Sequence, residues 1–331
     1  MSSLPSRFGI NLPGHLVRQY IEMARYADRL GVDSIWVTET RLATDALVPL
    51  AAYAAATERI RVGTGIIPLW TRNPALIAQS FATLDMLAPG RVILGFGAWW
   101  DPLATRVGVE RRRPARAMRE VIEAVRLLLA RNGPVSYEGE YVHLDGAYLD
   151  HGDTGGHDVK VYIAAVGPAM LRLAGRMADG VVLNRYYTVA AIREAVEAVK
   201  AAARAAGRRL DEIDRVKLID AEVTGDRRAA VERAKVRLAL YLAQQPHIAE
   251  PTGVDPELVE RLRASIAWPA DPKRVQEEAK LVPDALVERV CCYGDGDEVR
   301  TRLREYVAAG ISCPIVGGPT METIDALAEG F

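Results

Sequence analysis

Two stretches of the sequence contain residue types suited to ligand binding. In AAVGPAMLRLAG, an apolar run passes through Gly167-Pro168 directly into a helix, which leaves backbone N–H groups free at a helix N-terminus, where an anion is stabilised. The same pattern is typical of a tight turn that starts a helix with proline. Trp99-Trp100 follow another apolar run, where they would either wall a planar ligand or pack at the rim of the fold.

A third stretch indicates an unusual backbone. Gly65 follows an apolar run and precedes the β-branched Ile66, a combination typical of a bulge or of a flexible turn at a strand exit. The surrounding GTGIIP and the later GFGAWW do not complete the GxGxxG pattern of dinucleotide-binding folds, and neither follows the first strand of the chain. We therefore exclude a Rossmann dinucleotide site.

Groups suited to proton transfer, metal binding or nucleophilic attack are scarce after the apolar runs. The carboxylates there are Glu39, Asp101 and Glu222, and no histidine follows a predicted strand. The 5 histidines show no paired-ligand spacing, and no GxSxG motif occurs. The adjacent Cys291 and Cys292 are predicted to be buried structural thiols. The sequence thus predicts neither a metal site nor a conventional nucleophile.

The composition is that of an ordinary globular protein. Its 331 residues are 50% hydrophobic and 26% charged, with a formal net charge of −1, so no global field favours nucleic acid or an anionic membrane. No stretch reaches the roughly 18 apolar residues of a transmembrane helix. The 3 cysteines form neither a disulfide framework nor a metal clamp, which favours the reducing cytoplasm. We expect a small-molecule substrate and neither a nucleic-acid nor a membrane partner.

Short apolar, β-branched runs alternate with longer amphipathic stretches, which predicts βα units around a parallel sheet. The predicted strands are Phe8–Asn11, a strand within LGVDSIWVTE, Arg61–Ile67, Val92–Phe96, Val161–Ala164, Val181–Leu183, Val216–Val223 and Cys313–Val316. The predicted helices are His15–Leu30, Ala46–Ala56, Pro74–Leu87, Pro114–Arg131, Pro168–Met177, Val189–Ala206, Arg228–Leu242 and Asp297–Ala309. Eight units favour an α/β fold of the (β/α)8 TIM-barrel class over a doubly wound sheet with a second domain.

Two segments interrupt this alternation. Residues 132–158 include a hairpin of Val135–Tyr137 and Tyr141–Leu144, and residues 244–272 contain prolines that break short helical pieces. Both are interpreted as insertions, and we expect 244–272 to cover the mouth of the site. No shift in composition marks a domain boundary, so residues 1–331 are predicted to form a single domain.

Longer runs of the sequence resemble a known family. These runs are GTGIIPLWTRNPALIAQSFATLDMLAPGRVILGFGA, the later YIAAVGPAMLRLAGRMADGVVLN and the earlier DSIWVTETRLATDALVPLAAYAAATERIRVGTG. They are similar to the luciferase-like monooxygenase superfamily, in its coenzyme F420-dependent oxidoreductase branch, which includes the methylenetetrahydromethanopterin reductases. The similarity is strong over Phe8–Asn184 and weak over Val290–Val316.

The resemblance implies a homodimeric barrel that binds a deazaflavin or flavin at its C-terminal mouth. In such members a non-prolyl cis peptide, here Gly65-Ile66, lies against the back of the deazaflavin ring. The turn matching Ala165–Met170 holds the cofactor phosphate, which favours the anion-binding interpretation of that turn. The cofactor-binding residues that the resemblance implies are Gly65, Ile66, Gly97, Ala98, Trp99, Ala165, Val166, Gly167, Pro168, Ala169, Met170 and Asn184.

One position departs from the family pattern. After the second strand many relatives carry an acidic residue followed by a histidine that is assigned to acid–base work, whereas this chain has Glu39-Thr40. Threonine does not exchange a proton near neutral pH, so the histidine's role does not transfer. Glu39 is the remaining candidate for proton transfer or contact with the ring. The substrate is expected beside Thr40, Arg72, Trp99 and Trp100.

The function implied is hydride transfer between coenzyme F420 and a small organic substrate, with the cofactor carrying the redox chemistry. An FMN-dependent monooxygenase that uses reduced flavin and O2 is the alternative with the same fold. A non-catalytic flavin- or deazaflavin-binding protein is a second alternative, because Thr40 replaces the histidine. A cofactor-free isomerase needs a paired base and electrophile, which the strand ends do not provide. The sequence leaves the substrate and the direction of hydride transfer open.

Overall fold

Eight parallel strands close into a barrel in the computed structural model, which describes residues 7–152 and 155–330. The strands in chain order are β1 Gly9–Asn11, β2 Ser34–Val37, β3 Arg61–Thr64, β4 Ile67–Pro68, β5 Val92–Gly97, β6 Val135–Glu138, β7 His143–Ala147, β8 Lys160–Ala164, β9 Gly180–Leu183, β10 Asp214–Ile219, β11 Ala221–Val223, β12 Cys292–Gly294 and β13 Cys313–Gly317. The barrel runs β1-β2-β3-β5-β8-β9-β10-β13 and returns to β1, while β4 continues the line of β3 beside β5. The predicted TIM-barrel class is confirmed.

Helices surround this barrel. They are α1 Val17–Leu30, α2 Leu47–Ala56, α3 Pro74–Leu87, α4 Leu103–Arg106, α5 Pro114–Ala130, α6 Pro168–Met177, α7 Val189–Ala205, α8 Arg227–Gln244, α9 Ala249–Thr252, α10 Pro256–Ser265, α11 Pro272–Ala279, α12 Asp284–Val290, α13 Gly296–Ala308 and α14 Met321–Ala328. Local signals fix several ends: the Asn73 side chain accepts from the Ala75 N–H ahead of α3, and Gly31 closes α1 with a φ of 78°. None of the helices in the described part of the chain is long and apolar enough to cross a membrane.

The structure corrects the predicted elements at several places. The predicted strand Arg61–Ile67 divides into β3 and β4, because the chain turns at Gly65-Ile66 between them. The predicted strand Val216–Val223 divides at Asp220, after which β11 pairs with β12 outside the barrel. The hairpin strands lie at β6 and β7, a few residues beyond the predicted ends. Residues 153 and 154 of the first insertion lie outside the described residues.

Further elements were not predicted. They are β12, the short α4 and the terminal α14, together with the helices α11 and α12 that follow the second insertion. These elements are short, so their hydrophobic patterns are too brief to separate from loops in the sequence alone. Their side chains nevertheless contribute to hydrophobic clusters in the structure, including Leu286 of α12 and Ile324 of α14.

The apolar side chains divide among the barrel interior, the layer between strands and helices, and a separate cluster on α8. The interior cluster includes Trp36, Tyr162 and Ile315, all within 2% of full burial. The α8 cluster includes Leu238, Leu262 and other residues from α10 to α12. The second insertion therefore packs on α8 through its own apolar contacts, which holds it near the carboxyl-terminal strand ends.

An ion cluster closes the barrel at the amino-terminal ends of its strands. Arg7 donates to Asp33 at 2.7 Å and to Asp214 at 3.1 Å, and Arg61 donates to Asp33 at 2.5 Å and to Asp214 at 3.4 Å. The hydroxyl of Tyr162 also donates to Asp214 at 2.5 Å. Burial alone raises the pKa of Asp214, but the Arg7 charge and these hydrogen bonds lower it to about 2. The cluster thus keeps a carboxylate charged inside the fold.

We expect Asp214→Asn to lower the free energy of unfolding by about 3 kcal/mol at pH 7, because Arg7 and Arg61 lose a shared carboxylate. The folded-state pKa of Asp214 lies below its ordinary value of 3.8. Its charge therefore stabilises the protein above about pH 4, and this stabilisation is lost as the pH falls towards 2. Urea unfolding of both proteins across that range is the measurement.

The matched control is Asp158→Asn, which breaks an exposed pair with Lys160 in which the two side chains are 70% and 49% exposed. We expect this variant to unfold like the wild type within about 0.5 kcal/mol. A stability difference between wild type and Asp214→Asn that stays constant from pH 5 to pH 2 would contradict the prediction.

Candidate cofactor and substrate site

A cavity of about 900 Å³ opens at the carboxyl-terminal ends of the barrel strands. Most residues predicted for the site line it: Glu39, Thr40, Gly65, Ile66, Gly97, Ala98, Trp99, Trp100, Ala165, Val166, Gly167, Pro168, Met170 and Asn184. The structure places Arg72 and Ala169 outside this lining. Arg72 points instead to the back of Glu39, and Ala169 is exposed on the first turn of α6.

The wall at the end of β3 is formed by Gly65 and Ile66, and the peptide bond between them is cis, as the resemblance implied. Thr38 also lines the cavity and holds this segment, because its hydroxyl donates to the Gly65 carbonyl at 2.8 Å. The Glu39 N–H donates to the Ile66 carbonyl at 3.1 Å. A Cβ on Gly97 would lie 2.4 Å from Cδ1 of Ile66, so glycine at 97 leaves room for the Ile66 side chain.

The opposite wall is the turn Ala165–Met170, called the phosphate-binding turn below. The N-cap of α6 is Gly167, so no side chain caps the first N–H groups of the helix. A Cβ on Gly167 would meet nothing within 4 Å, which leaves open space in front of those groups. Tyr187 fixes the turn from below by donating to the carbonyls of Ala165 at 3.3 Å and Val166 at 3.2 Å. This arrangement suits an anionic group.

The turn after β5 carries the two tryptophans. Its Ala98 carbonyl accepts from Trp70 Nε1 at 2.9 Å and from Arg111 Nε at 2.8 Å. These bonds hold Trp99 with a φ of 60°, a conformation that bulky residues rarely adopt. Trp100 is 5% exposed. The tryptophans thus form a rigid aromatic wall.

Four buried polar atoms of cavity-lining residues have no hydrogen-bond partner in the described part of the chain. They are Nε1 of Trp99, Nε1 of Trp100, Oδ1 of Asn184 and Nε of Arg185. Buried polar groups are normally satisfied, so unpaired ones at a cavity are groups that a ligand could complete. Together with the phosphate-binding turn and the apolar wall at Ile66, they fit a planar cofactor that carries a phosphate.

Glu39 lines the cavity, but its carboxylate is already bound. Arg72 donates to Oε1 and to Oε2, each at 2.8 Å, and the Ala46 N–H donates to Oε2 at 3.1 Å. Arg72 also donates to Asp45 at 2.5 Å. A two-pronged arginine contact stabilises the charged carboxylate and fixes its orientation. In this structure Glu39 therefore holds the loop after β2, and the proton-transfer role proposed from the sequence has no further support from the geometry.

A second ion network lies under the cavity at the end of β10. Asp220 is 3% exposed and pairs with Arg185, which lines the cavity, and with Arg237 at 3.1 Å. The burial of Asp220 raises its pKa, but the two arginines outweigh this effect and lower it. Glu222, named from the sequence as a strand-end carboxylate, lies instead in β11 and pairs with Arg233 at 2.8 Å away from the cavity. The break in the strand at Asp220 causes this difference.

Sequence reasoning missed the residues that reach the cavity from the end of α8 and beyond. They are Tyr241, Gln245, His247, Glu250 and Pro251, and most fall in the insertion that was expected to cover the mouth. Arg111, between α4 and α5, was also missed. None of these residues follows a barrel strand, so the strand-end rule did not select them. The insertion boundary was the one sequence signal that pointed to them.

The described residues also show how far the protein meets the requirements of a metal site and of a reactive thiol. The described residues contain no group of three or more His, Cys, Asp or Glu side chains able to hold a metal ion. Cys291, Cys292 and Cys313 are buried free thiols, and burial raises the pKa of each. A raised thiol pKa disfavours the thiolate, so these cysteines are poor nucleophiles.

The profile of the family described as luciferase-like monooxygenase matches residues 3–313. The chain belongs to this family. The 5,10-methylenetetrahydromethanopterin reductase of Methanopyrus kandleri is 30% identical, over 94% of this chain and 92% of the relative. The F420-dependent glucose-6-phosphate dehydrogenase of Amycolatopsis mediterranei is 30% identical, over 91% of this chain and 89% of the relative.

The structural comparison agrees with the sequence comparison. The solved coenzyme F420-dependent tetrahydromethanopterin reductase from Methanopyrus kandleri has a TM-score of 0.84 and 28% identity, covering 97% of this chain and 96% of that chain. The family and barrel class implied by the resemblance are therefore confirmed. Two of these three luciferase-like relatives carry F420 dependence in their names.

The Glu39–Arg72 pair gives a test of the site's framework. Both side chains are largely buried, with 14% and 20% exposed, so we expect Glu39→Ala and Arg72→Ala to be coupled by about 1–2 kcal/mol in a double-mutant cycle of urea unfolding. The exposed pair Glu197–Lys200 serves as the control cycle, with an expected coupling below about 0.5 kcal/mol. Additive effects of the two alanine substitutions would contradict the assigned role of Glu39.

Proposed function

We propose that this protein is an oxidoreductase that transfers a hydride between coenzyme F420 and a small organic substrate. The observation that carries the proposal is the match along nearly the whole chain to F420-dependent relatives. The cavity supports it, because the cavity offers an anion-binding turn and a planar wall. The absence of a conventional nucleophile or metal cluster among the described residues is consistent with a reaction whose redox chemistry belongs to a cofactor.

The chain's own residues would bind and orient the cofactor. The free N–H groups of the phosphate-binding turn would hold the cofactor phosphate, aided by the N-terminal end of the α6 dipole. Ile66 and Gly97 would contact the ring, and Trp99 would exclude water from its edge. When bound, coenzyme F420 supplies a deazaflavin ring that accepts or donates a hydride. The remaining space beside Trp100 and Thr40 would receive the substrate.

We expect purified protein to bind coenzyme F420 in the micromolar range, measured by titration of cofactor fluorescence. Gly167→Glu should weaken this binding at least about tenfold, because it adds a negative charge beside the phosphate-binding turn. Gly167 has a φ of −85°, and a Cβ there meets no neighbour, so the fold tolerates the substitution.

Gly167→Gln is the matched control, since glutamine has the size of glutamate without its charge. Binding by this variant should stay within about threefold of wild type. A parallel titration with FMN tests the alternative function: selective FMN binding would favour the flavin-dependent monooxygenase, and binding of neither cofactor would leave only the fold in common with the relatives. Cofactor binding without turnover of any donor or acceptor would favour a non-catalytic binding protein.

We also propose that the protein is a homodimer that uses the outer faces of α2 and α3. Residues 47–56 of α2 contain no charged side chain, and the one charged residue of α3, Asp85, is buried. Val48 at the start of α2 is 73% exposed, and Leu76 at the start of α3 is 56% exposed. Charge-free apolar faces on neighbouring helices are typical of surfaces that another chain covers. In the homodimer that the resemblance implies, that chain is a second copy of this protein.

Val48→Glu and Leu76→Glu are expected to shift the protein from dimer to monomer, because each buries a charge in an apolar interface. Size-exclusion chromatography with light scattering measures the change, with the wild type expected at twice the chain mass of 36.2 kDa. Leu127→Glu on α5, a site that is 47% exposed on another helix, should leave the dimer intact. A monomeric wild type, or a dimer that survives both substitutions, would contradict the proposal.

The state of the cysteines indicates the cellular compartment. We propose a reducing cytoplasm, because the 3 cysteines of the chain are free and buried rather than paired. We further propose that the chain acts as one domain, since the insertion after α8 contributes lining residues to the cavity of the barrel.

A further inference from the structure

Part of the cavity is lined by residues 241–251, which run from the last turn of α8 to Pro251 and are called the roof segment below. His247 lies in a short 3-10 helix of this segment, Pro246–Ile248. Of the 5 histidines in the chain, all within the described residues, His247 alone lines the cavity. Its side chain is exposed to the cavity, and neither ring nitrogen bonds to another described residue. A free imidazole therefore faces the ligand space.

Two effects favour the neutral form of this imidazole. The surrounding protein removes bulk water and the Arg111 guanidinium adds positive charge, and both lower the pKa of His247 below its ordinary value of 6.5. Arg111 is itself fixed by Asp101 at 2.7 Å and by the Ala98 carbonyl at 2.8 Å. The other ionisable side chains that line the cavity are Glu39, Arg185, Tyr187, Glu194, Tyr241 and Glu250.

Two arginines line the cavity in the described part of the chain, Arg111 and Arg185. Arg111 binds Asp101, and Arg185 binds Asp220, a carboxylate that it shares with Arg237. Glu250 of the roof segment has no ion-pair partner among the described residues. The positive charge that acts on His247 is therefore that of Arg111, held in place by Asp101.

We propose that His247 is the proton-transfer residue of this cavity and that it acts on a substrate bearing a hydroxyl or carbonyl group. This inference rests on the proposed F420-dependent function. In oxidation, the substrate C–H leaves with its two electrons as a hydride to the deazaflavin, and the O–H proton passes to the neutral imidazole nitrogen. The carbonyl product forms, and the imidazolium returns its proton to water. Reduction of the carbonyl reverses each transfer.

The first test needs no turnover. Histidine labelled with 13C at Cε1 gives one NMR signal for each histidine, and His247→Asn identifies the signal of His247. We expect that signal to titrate below pH 6.5. Arg111→Gln should move the midpoint upward, whereas Arg111→Lys keeps the positive charge and should leave the midpoint low. If the His247 signal titrates at pH 6.5 or above, and Arg111→Gln does not change that midpoint, the placement of His247 beside Arg111 is overturned.

The second test measures catalysis. Wild-type protein is assayed with F420 and 2-propanol or cyclohexanol, with reduced F420 and the matching ketones, and with F420 and glucose 6-phosphate as a phosphorylated hydroxyl substrate. In the oxidation direction kcat should rise with pH through the His247 midpoint and then level off. His247→Asn should lower kcat at least about 100-fold and remove that pH dependence, while the Kd for F420 stays within about threefold.

The control is His143→Asn, on the exposed hairpin, with 60% of its side chain exposed, which should retain wild-type kcat. A His247→Asn variant that keeps kcat within threefold overturns the proton-transfer role. Wild-type protein that binds F420 but turns over none of these hydroxyl and carbonyl compounds overturns the substrate class. Failure of wild-type protein to bind F420 instead overturns the proposed function, while the NMR titration still decides the placement of His247.

Discussion

Closure of eight parallel strands is the constraint on which the site depends. A closed barrel has no free edge, so each strand must end at the same rim, and the loops that follow the strands converge there. Residues as distant in the chain as Glu39, Gly97 and Asn184 therefore line one cavity. The Arg7–Asp214 cluster stabilises the opposite end of the barrel.

Ionic contacts at the functional rim position the loops. Arg72 holds the Glu39 loop, Asp220 holds Arg185, and Asp101 holds Arg111. Asp220 is shared between Arg185 and Arg237, and Nε of Arg185 has no partner among the described residues, so positive charge remains beside the cavity. The uncapped helix start at Gly167 adds a second feature that suits an anionic group.

The cavity is built from two sources with different roles. The strand-end loops supply fixed walls, as shown by Trp99, whose positive φ is held by bonds to the neighbouring Ala98 carbonyl. The roof segment comes from outside the repeating βα units and packs on α8 through its own apolar cluster. In barrels of this kind the scaffold sets the reaction geometry and inserted segments vary the ligand contacts. His247 belongs to the varying part, where a substrate-specific group is expected.

The barrel, most element boundaries and many cavity-lining residues could be predicted from the amino-acid sequence. Alternating patterns fix βα units, helix α6 begins at Pro168 as predicted, and strand-end positions such as Ile66 can be read by rule. Three features emerge only in the folded protein: Arg72 binds Glu39, the strand breaks at Asp220, and His247 reaches the cavity. These outcomes depend on contacts between residues far apart in the chain, and local periodicity carries no information about such contacts.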